Sequence, residues 1–155
     1  MSAFLLNAPW KNSYLLLIVP GFALYWCFLM WMVSVIGGWR LLAGKFRATS
    51  PFSGEQWRWQ AAQFRFTAHY NGVLTVGADP MRLYLAIMPL FAFAHPPLLI
   101  PWHEIPGWRR RQFLFLKQVE LQLGRERPVG MRINERLALK IQAAAGASWP
   151  KEIVG

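Results

Sequence analysis

Hydrophobic positions form one long uninterrupted stretch near the N-terminus. Residues 13–39 contain no charged side chain, and the charge-free interval between Lys11 and Arg40 is 28 residues long. As an α-helix this interval would extend about 42 Å, whereas a bilayer core needs only about 20 apolar residues. A lone apolar segment in lipid must be helical, because every backbone polar group has to be bonded within it. The pattern predicts a transmembrane helix at 13–39, preceded by a short leader at 1–12.

The ends of this stretch indicate which kind of apolar segment it is. Trp10, Tyr14 and Trp39 lie near the ends, where aromatic rings favour the headgroup level of a bilayer. A buried helix of a soluble protein and a cleaved signal peptide are the alternatives. A signal peptide would have an apolar region of about 7–15 residues and a small-residue cleavage site. No Ala-x-Ala pattern directly follows Trp39, so a retained membrane anchor is the preferred interpretation.

The basic residues on either side of the anchor predict its orientation. Lys11 is the only charged side chain before it, whereas Arg40, Lys45 and Arg47 follow it and precede the first acid, Glu55. Lys and Arg near the end of a span favour the cytoplasm. We therefore expect a single-pass protein with its N-terminus outside and its C-terminal domain in the cytoplasm.

After the anchor, hydrophobic and polar residues begin to alternate. Residues 40–55 combine basic side chains with Gly, Ser and Pro, which predicts a basic juxtamembrane linker lying on the headgroups. From Gln56 the hydrophobic period shortens to two, with one slip that indicates a β-bulge. Asn71-Gly72 is a strong hairpin signal, and residues 78–80 form a second turn signal. Strands separated by such turns are typical of a meander.

The stretch 84–102 is the main ambiguity, because it has no charged side chain apart from a possible His95. Its length allows a second membrane span, but its four prolines leave no uninterrupted helix. A re-entrant or membrane-dipping loop is a second interpretation. We favour a third, in which these residues supply β core and a wedge close to the bilayer. Residues 98–105 then form a strand whose proline indicates an edge or a bulge.

The C-terminal third predicts further strands and a helix. Residues 109–111 predict a basic turn after Trp108, followed by strands at 117–123 and 128–133. Asn134 is a good helix N-cap and Gly146 a natural stop, with an apolar stripe at helical spacing between them. The predicted domain, at 56–146, is mainly β within the α+β class. It has about six or seven antiparallel strands and a closing C-terminal helix, and residues 147–155 form a tail.

Charge adds a preference for negatively charged surroundings. The formal net charge is +10, and most of the basic residues follow the anchor. A basic domain beside the cytoplasmic leaflet is attracted to anionic lipid. The same excess could serve nucleic acid, or only orientation and solubility. The single cysteine, Cys27, lies in the anchor, which excludes an intramolecular disulfide and a cysteine-based metal site.

Four parts of the predicted domain have a recognisable order and spacing. They are Gly72-Val73-Leu74, Leu83-Tyr84-Leu85, the run HPPLLIPW at 95–102 with Glu104-Ile105, and the closing helix. Together they resemble bacterial membrane-associated PH-like (pleckstrin-homology-like or GRAM-like) domains of unassigned function, in which two sheets form a barrel that a final helix closes at one end. The resemblance implies binding of lipids or proteins rather than catalysis, and a place at the bacterial inner membrane. PH-type lipid sites usually carry bases in the first hairpin loop, and the predicted turn Asn71-Gly72 has none.

Few residues offer catalytic or metal chemistry. His95, His103 and Glu104 are the candidates for acid–base or metal-ligand roles, but their spacing matches no helical metal motif. We therefore predict no catalytic, metal or cofactor site. Basic residues near aromatic ones are better candidates, because guanidinium groups bind phosphate and aromatic rings enter interfaces. The predicted lipid- or partner-binding residues are Arg40, Lys45, Arg47, Trp102, Trp108, Arg109, Arg110 and Arg111.

Three classes of function follow from these observations. The leading hypothesis is a non-enzymatic, membrane-tethered interaction module, or an accessory subunit of a larger membrane complex. It would bind a protein partner, anionic lipid or both at the cytoplasmic face. The second is an enzyme acting on a lipid or small molecule through His95, His103 and Glu104. The third is a nucleic-acid-binding protein at the membrane, for which steep salt dependence would be diagnostic.

Overall fold

The long apolar stretch near the N-terminus is helical. In the computed structural model, which describes residues 9–65 and 67–153, helix α1 spans Pro9–Ile36 and includes Pro20 without ending. Its segment Ser13–Ile36 has 24 residues, or about 36 Å of helix. Among the described residues it is the one helix long and apolar enough to cross a membrane.

A second helix differs from the linker that the sequence predicts at 40–55. Helix α1 ends at Gly37 and Gly38, and Gly38 has a φ of +82°. Helix α2 then spans Trp39–Phe46 and buries Trp39, Leu42 and Phe46 in the domain. These positions share one face of a helix, because they are three and seven residues apart. Trp39 is therefore a buried core residue, whereas its place beside the apolar stretch had predicted a ring exposed to the membrane headgroups.

Seven antiparallel strands form a single curled sheet, a half-barrel, within the described residues. The order across the sheet is β4-β3-β2-β1-β7-β6-β5, so β1 pairs with both β2 and β7. The predicted strand number is confirmed. The strands are β1 Glu55–Phe64, β2 Ala68–Ala78, β3 Arg82–Ile87, β4 Leu98–Pro101, β5 Trp108–Phe113, β6 Leu116–Leu123 and β7 Val129–Asn134.

Strand direction assigns the connections to two ends of the sheet. Because neighbouring strands are antiparallel throughout, the β1–β2, β3–β4 and β6–β7 connections lie at one end. We call this the anchor end, since Gly37 and Gly38 approach Ala68 and Val129 there. The β2–β3 and β5–β6 turns lie at the opposite end, which we call the far end.

The first predicted turn is wrong, although its residues have an unusual backbone. Asn71 and Gly72 lie inside β2, and the chain reverses instead between Phe64 and Ala68. The strand register shifts on both sides of Gln60, and Gly72 has a φ of +70°. A glycine that tolerates positive φ can serve a bulge as well as a turn. The sequence predicts one slip in β1 between Ala61 and Phe64, and the register shifts instead occur earlier, between Trp57 and Ala62.

The basic turn predicted at 109–111 is also wrong. Arg109, Arg110 and Arg111 belong to β5, paired opposite Glu120, Val119 and Gln118 of β6. Strand β5 is the last strand in the sheet order, and charged side chains are common on such edge strands. The reversal comes later, at Leu114 and Phe115.

The proline-rich stretch 84–102 does not form a long helix. After β3 it makes a 3-10 turn at Pro89–Phe91 and an irregular loop, and it then enters β4, which ends at Pro101. A 3-10 turn at Trp102–Glu104 follows in place of the longer predicted strand. The edge position predicted for this strand is confirmed, since β4 is the first strand of the sheet order.

The predicted C-terminal helix is confirmed with both of its ends. Helix α3 spans Glu135–Ala145, and the Asn134 side chain accepts a hydrogen bond from Leu137 N at 2.7 Å. Gly146 follows with a φ of +61°. The face carrying Leu137 and Ile141 is buried against β2, β6 and β7. Beyond α3, Ile153 N donates to Trp108 O at 2.7 Å, so the tail adds a bridge beside the start of β5.

Candidate functional site

The β3–β4 loop, residues 88–97, fastens helix α1 to the sheet. Ser34 is buried in α1, and its Oγ donates a hydrogen bond to Ala94 O at 2.7 Å. Eight residues earlier in α1, Trp26 Nε1 donates to Leu90 O at 3.3 Å. The Trp26 ring also lies 5.3 Å from that of Phe91, centroid to centroid. The loop therefore lies alongside the C-terminal half of α1.

Helix α2 holds the same loop from its other side. Trp39 is completely buried, and its Nε1 donates to Pro96 O at 2.9 Å. Its ring packs against Phe64, Tyr70 and His95, with centroids 5.4 to 5.8 Å apart. The residue that the sequence placed at the membrane surface is thus the centre of the junction between helices and sheet.

His95 positions the loop by two hydrogen bonds. Nδ1 lies 2.8 Å from Phe93 O, and Nε2 lies 2.8 Å from the Tyr70 hydroxyl. A carbonyl can only accept, so Nδ1 donates and the uncharged ring accepts from Tyr70 through Nε2. Burial lowers the pKa of His95, despite the opposing effect of its bond to Phe93. Burial also raises the pKa of Tyr70, which keeps its hydroxyl proton.

His95 does not share a site with the other two acid–base candidates. It lies in the core with Tyr70 and Trp39, whereas the His103 side chain is 78% exposed and lies 3.9 Å from Glu104. In residues 9–65 and 67–153, no group of three or more His, Cys, Asp and Glu side chains could hold a metal ion.

A groove opens where α1, α2 and the loop meet, and we call it the junction groove. Its volume is about 520 Å³. The Arg40 guanidinium lies 5.9 Å from the centroid of the Trp31 ring, at one side of this groove. A side chain added at Gly44 would meet no atom within 4 Å, so the α2 side is open. The lining includes Trp31, Arg40, Gly44, Arg47, Phe93 and Pro96, and it has no acidic residue.

Two of the eight predicted binding residues line the junction groove, and Lys45 does not. Arg40 and Arg47 are both exposed there. Lys45 Nζ points to the β6–β7 side, where it lies 3.3 Å from Glu104 and 4.0 Å from Glu126. The predicted basic group at 40–47 is therefore divided between the junction groove and an ion-pair cluster.

The two predicted tryptophans are structural. Trp102 is 5% exposed, and its Nε1 donates to Asp79 O at 2.7 Å. Trp108 is half-buried, and both rings lie about 6 Å from the ring of Trp149. Buried rings cannot enter a membrane surface, so Trp102 is corrected from a binding residue to a core residue.

The three predicted arginines of β5 have different surroundings. Arg111 Nε lies 3.4 Å from Glu120 Oε2, and Arg132 Nε donates to the same oxygen at 2.8 Å. Burial alone would raise the pKa of Glu120, but the hydrogen bond from Arg132 and the charge of Arg111 lower it overall. Arg111 thus stabilises a buried carboxylate. Arg109 is half-buried, and Arg110 is exposed.

An apolar cluster at the end of β5 was not predicted from the sequence. Phe113, Leu114, Phe115 and Leu116, which we call the hairpin tip, are between 62% and 98% exposed. Four consecutive apolar residues without alternation were the available signal, because a half-buried strand would alternate with polar residues. The tip follows the three arginines and belongs to the far end.

The sequence matches no protein-family model, and it matches no curated protein sequence. What the chain does must therefore be inferred from its own geometry, which combines an exposed apolar helix, a curled sheet and a basic groove between them.

Proposed function

We propose that this chain is a membrane-anchored interaction module with a PH-like fold, which binds an anionic lipid headgroup in the junction groove. Helix α1 would cross the bacterial inner membrane and hold the half-barrel against its cytoplasmic leaflet. The supporting observation is that the exposed apolar surface of α1 leads directly to a groove with Arg40, Arg47 and no acid. A protein partner could join the same assembly.

The strand order supports the PH-like part of the proposal. Seven antiparallel strands followed by one helix, with β1 pairing on both sides, fit the barrel that the sequence resembles. The first hairpin has a base, Arg65, but its Nη1 donates to Ile36 O at 3.3 Å, at the end of α1. This base is therefore engaged with the anchor, which favours the junction groove over a first-hairpin lipid site.

The groove has the chemistry that a phosphate at the membrane surface requires. Guanidinium groups donate paired hydrogen bonds to phosphate oxygens, and each basic residue near an anionic surface contributes about 1 kcal/mol. Trp31 and Phe93 supply apolar surface on the same groove, which suits the glycerol and upper acyl region of a lipid.

The packing of α1 supports retention of the anchor after membrane insertion. Removal of α1 would expose the loop partners of Ser34 and Trp26 and uncover the Trp39 junction. Alkaline extraction of membranes, combined with the mass of the mature chain, tests this. We expect an intact chain in the pellet, and release of a shortened domain would contradict the proposal.

Lipid binding is tested with the full chain in nanodiscs, because a ligand that binds the folded state raises its unfolding temperature. Phosphatidylglycerol added to phosphatidylcholine should raise the unfolding temperature of the wild type. The Arg40→Gln/Arg47→Gln variant should lose most of this rise. The matched control is Arg136→Gln/Lys140→Gln, which removes the same charge from exposed positions on α3. An equal rise in all three proteins would overturn the proposed site.

A further inference from the structure

We propose that the tip of the β3–β4 loop, residues 89–93, enters the bilayer beside α1 as a second membrane-embedded element. We call these residues the wedge. The inference rests on the proposed function, since it requires α1 to cross the membrane. In this arrangement the exposed apolar side chains of the wedge contact lipid acyl chains.

The contacts with α1 set the depth of the wedge. Ala94 O accepts a hydrogen bond from the Ser34 side chain, and Leu90 O accepts one from the Trp26 side chain. Trp26 and Ser34 are eight residues apart, which is about 12 Å along the helix. The loop thus runs alongside α1 from its C-terminal end toward its middle.

Trp26 lies inside the hydrocarbon for every reasonable placement of α1. A hydrocarbon core needs about 20 helical residues, and the apolar stretch Ser13–Ile36 has 24. The core then ends somewhere between Met32 and Ile36 on the domain side. Trp26 is six to ten residues from that boundary, or about 9–15 Å deep. Leu90, bonded to Trp26, would lie at a similar depth.

The surface of the wedge is apolar where it is exposed. Leu90 is 69% exposed and Phe93 is 53% exposed, so more than half of each residue is left uncovered by the protein. No charged side chain occurs in residues 83–102 apart from a possible His95, which is buried and uncharged. In water such a loop would expose large hydrophobic side chains without compensation, whereas in lipid the same exposure is favourable.

Most backbone polar groups of the loop have hydrogen-bond partners within the protein, as a medium without water requires. Non-helical backbone is tolerated at membrane depth only where its polar groups have partners. Eight of the ten carbonyls of residues 88–97 accept hydrogen bonds from the protein. Three of these ten residues are prolines, which have no backbone N–H to satisfy. A loop in water would not need this degree of internal bonding, because solvent would supply it.

The test uses the full chain in liposomes, with Cys27→Ala as the background. A single cysteine is introduced at Leu90, Phe93, Leu24 or Met81 and labelled with an environment-sensitive nitrobenzoxadiazole dye. Lipids with a doxyl quencher on the acyl chain are then compared with unmodified lipids. All four positions are more than half exposed, so labelling should not perturb folding.

The two controls separate this inference from the proposed function. Leu24 lies on α1 within the hydrocarbon for every such placement, and Met81 lies at the far end in the β2–β3 turn. We expect acyl-chain quenchers to remove most of the emission at Leu24, Leu90 and Phe93 and little at Met81. If Leu24 is quenched and both wedge positions behave like Met81, the wedge faces water or a missing protein partner and the inference is wrong. If Leu24 itself is not quenched, the membrane anchor is wrong.

Discussion

The two apolar loops of this protein lie at opposite ends of the sheet and are supported in opposite ways. The β3–β4 loop at the anchor end is bonded to Trp26, Ser34 and Trp39 through its carbonyls. The hairpin tip at the far end is closed by the β5–β6 ladder, and Phe115 is 98% exposed. Both loops contain a non-glycine residue with positive φ, Ala94 in one and Leu114 in the other.

The difference shows that apolar composition does not determine what a loop does. The β3–β4 loop is fixed by buried polar contacts, so its apolar side chains have one orientation relative to α1. The hairpin tip has no comparable support among the described residues, and it follows a strand of three arginines. Substitutions in the fixed loop should therefore change stability strongly, whereas substitutions in the tip should change it little.

The largest effect is expected at the junction. Trp39→Ala removes a completely buried ring and the donor to Pro96 O. Truncation of a buried tryptophan costs about 3–5 kcal/mol. The free energy of unfolding of the full chain in detergent, measured with denaturant, should fall by this amount. Phe115→Ala is the matched aromatic control and should change it by less than about 0.5 kcal/mol. Similar losses for the two variants would refute the contrast between the ends.

A smaller effect is expected at Glu120 of β6, which contacts Arg111 of β5 and Arg132 of β7. Glu120→Gln removes the charge that Arg132 and Arg111 contact, and hydrogen bonds to charged groups contribute about 2 kcal/mol. Because the folded protein lowers the pKa of Glu120, this contribution is complete above about pH 4.5, the ordinary value. It disappears as the pH falls through the lower folded value. In Glu120→Gln the free energy of unfolding should therefore fall less at acid pH than in the wild type. The control Glu126→Gln, at an exposed position, should show the same fall as the wild type.

The fixed loop should also respond to pH through His95. Because burial lowers the pKa of His95, the unfolded chain takes up a proton at a higher pH than the folded one. Stability should therefore fall as the pH drops below about 6.5, by up to about 1.4 kcal/mol per pH unit, until the folded pKa is reached. Unfolding curves measured between about pH 5 and pH 8 test this prediction. His95→Gln should abolish the dependence, and the exposed His103→Gln should leave it unchanged.

The smallest effect distinguishes backbone strain from side-chain support. Leu114 has a φ of 53°, and the left-handed region costs a non-glycine residue about 1–2 kcal/mol. Glycine loses part of this gain through its larger unfolded-state entropy, so Leu114→Gly should stabilise the protein by about 0.5–1 kcal/mol. Leu114→Ala keeps the strain and should be nearly neutral. Ala94→Gly, at a φ of 61°, should give a similar gain, because the Ala94 carbonyl rather than its methyl group bonds Ser34. A loss in the Gly variants would show that these side chains contribute contacts.

The candidate site was predicted only in part, for a physical reason. Arg40 and Arg47 follow an apolar helix directly, so their place near its end could be read from the chain. The separation of Lys45 from them depends on Glu104, which is far away in sequence and lies 3.3 Å from Lys45 in the fold. Likewise, tryptophan is typical of membrane interfaces, so Trp102 and Trp108 were predicted there. Their actual neighbours, Asp79 and Trp149, are distant in sequence and could not be predicted from it.

The sequence by itself determined the first and last helices and the number of strands. The length of the apolar stretch gave α1, alternation with turn residues gave a sheet of the right strand number, and Asn134 and Gly146 gave the ends of α3. These features follow from hydrogen bonding and side-chain periodicity within a few residues.

Only the tertiary structure decided what each apolar or basic segment contacts. Trp39 became a core residue because the loop at 88–97 and strand β2 close around it, and the Asn71-Gly72 bend became a bulge because β1 pairs across it. The arginines at 109–111 became strand residues because β6 offers partners opposite them. Burial of an apolar side chain is favourable in a protein core, in lipid or against a partner. Which of these environments it occupies therefore depends on which distant segment packs against it.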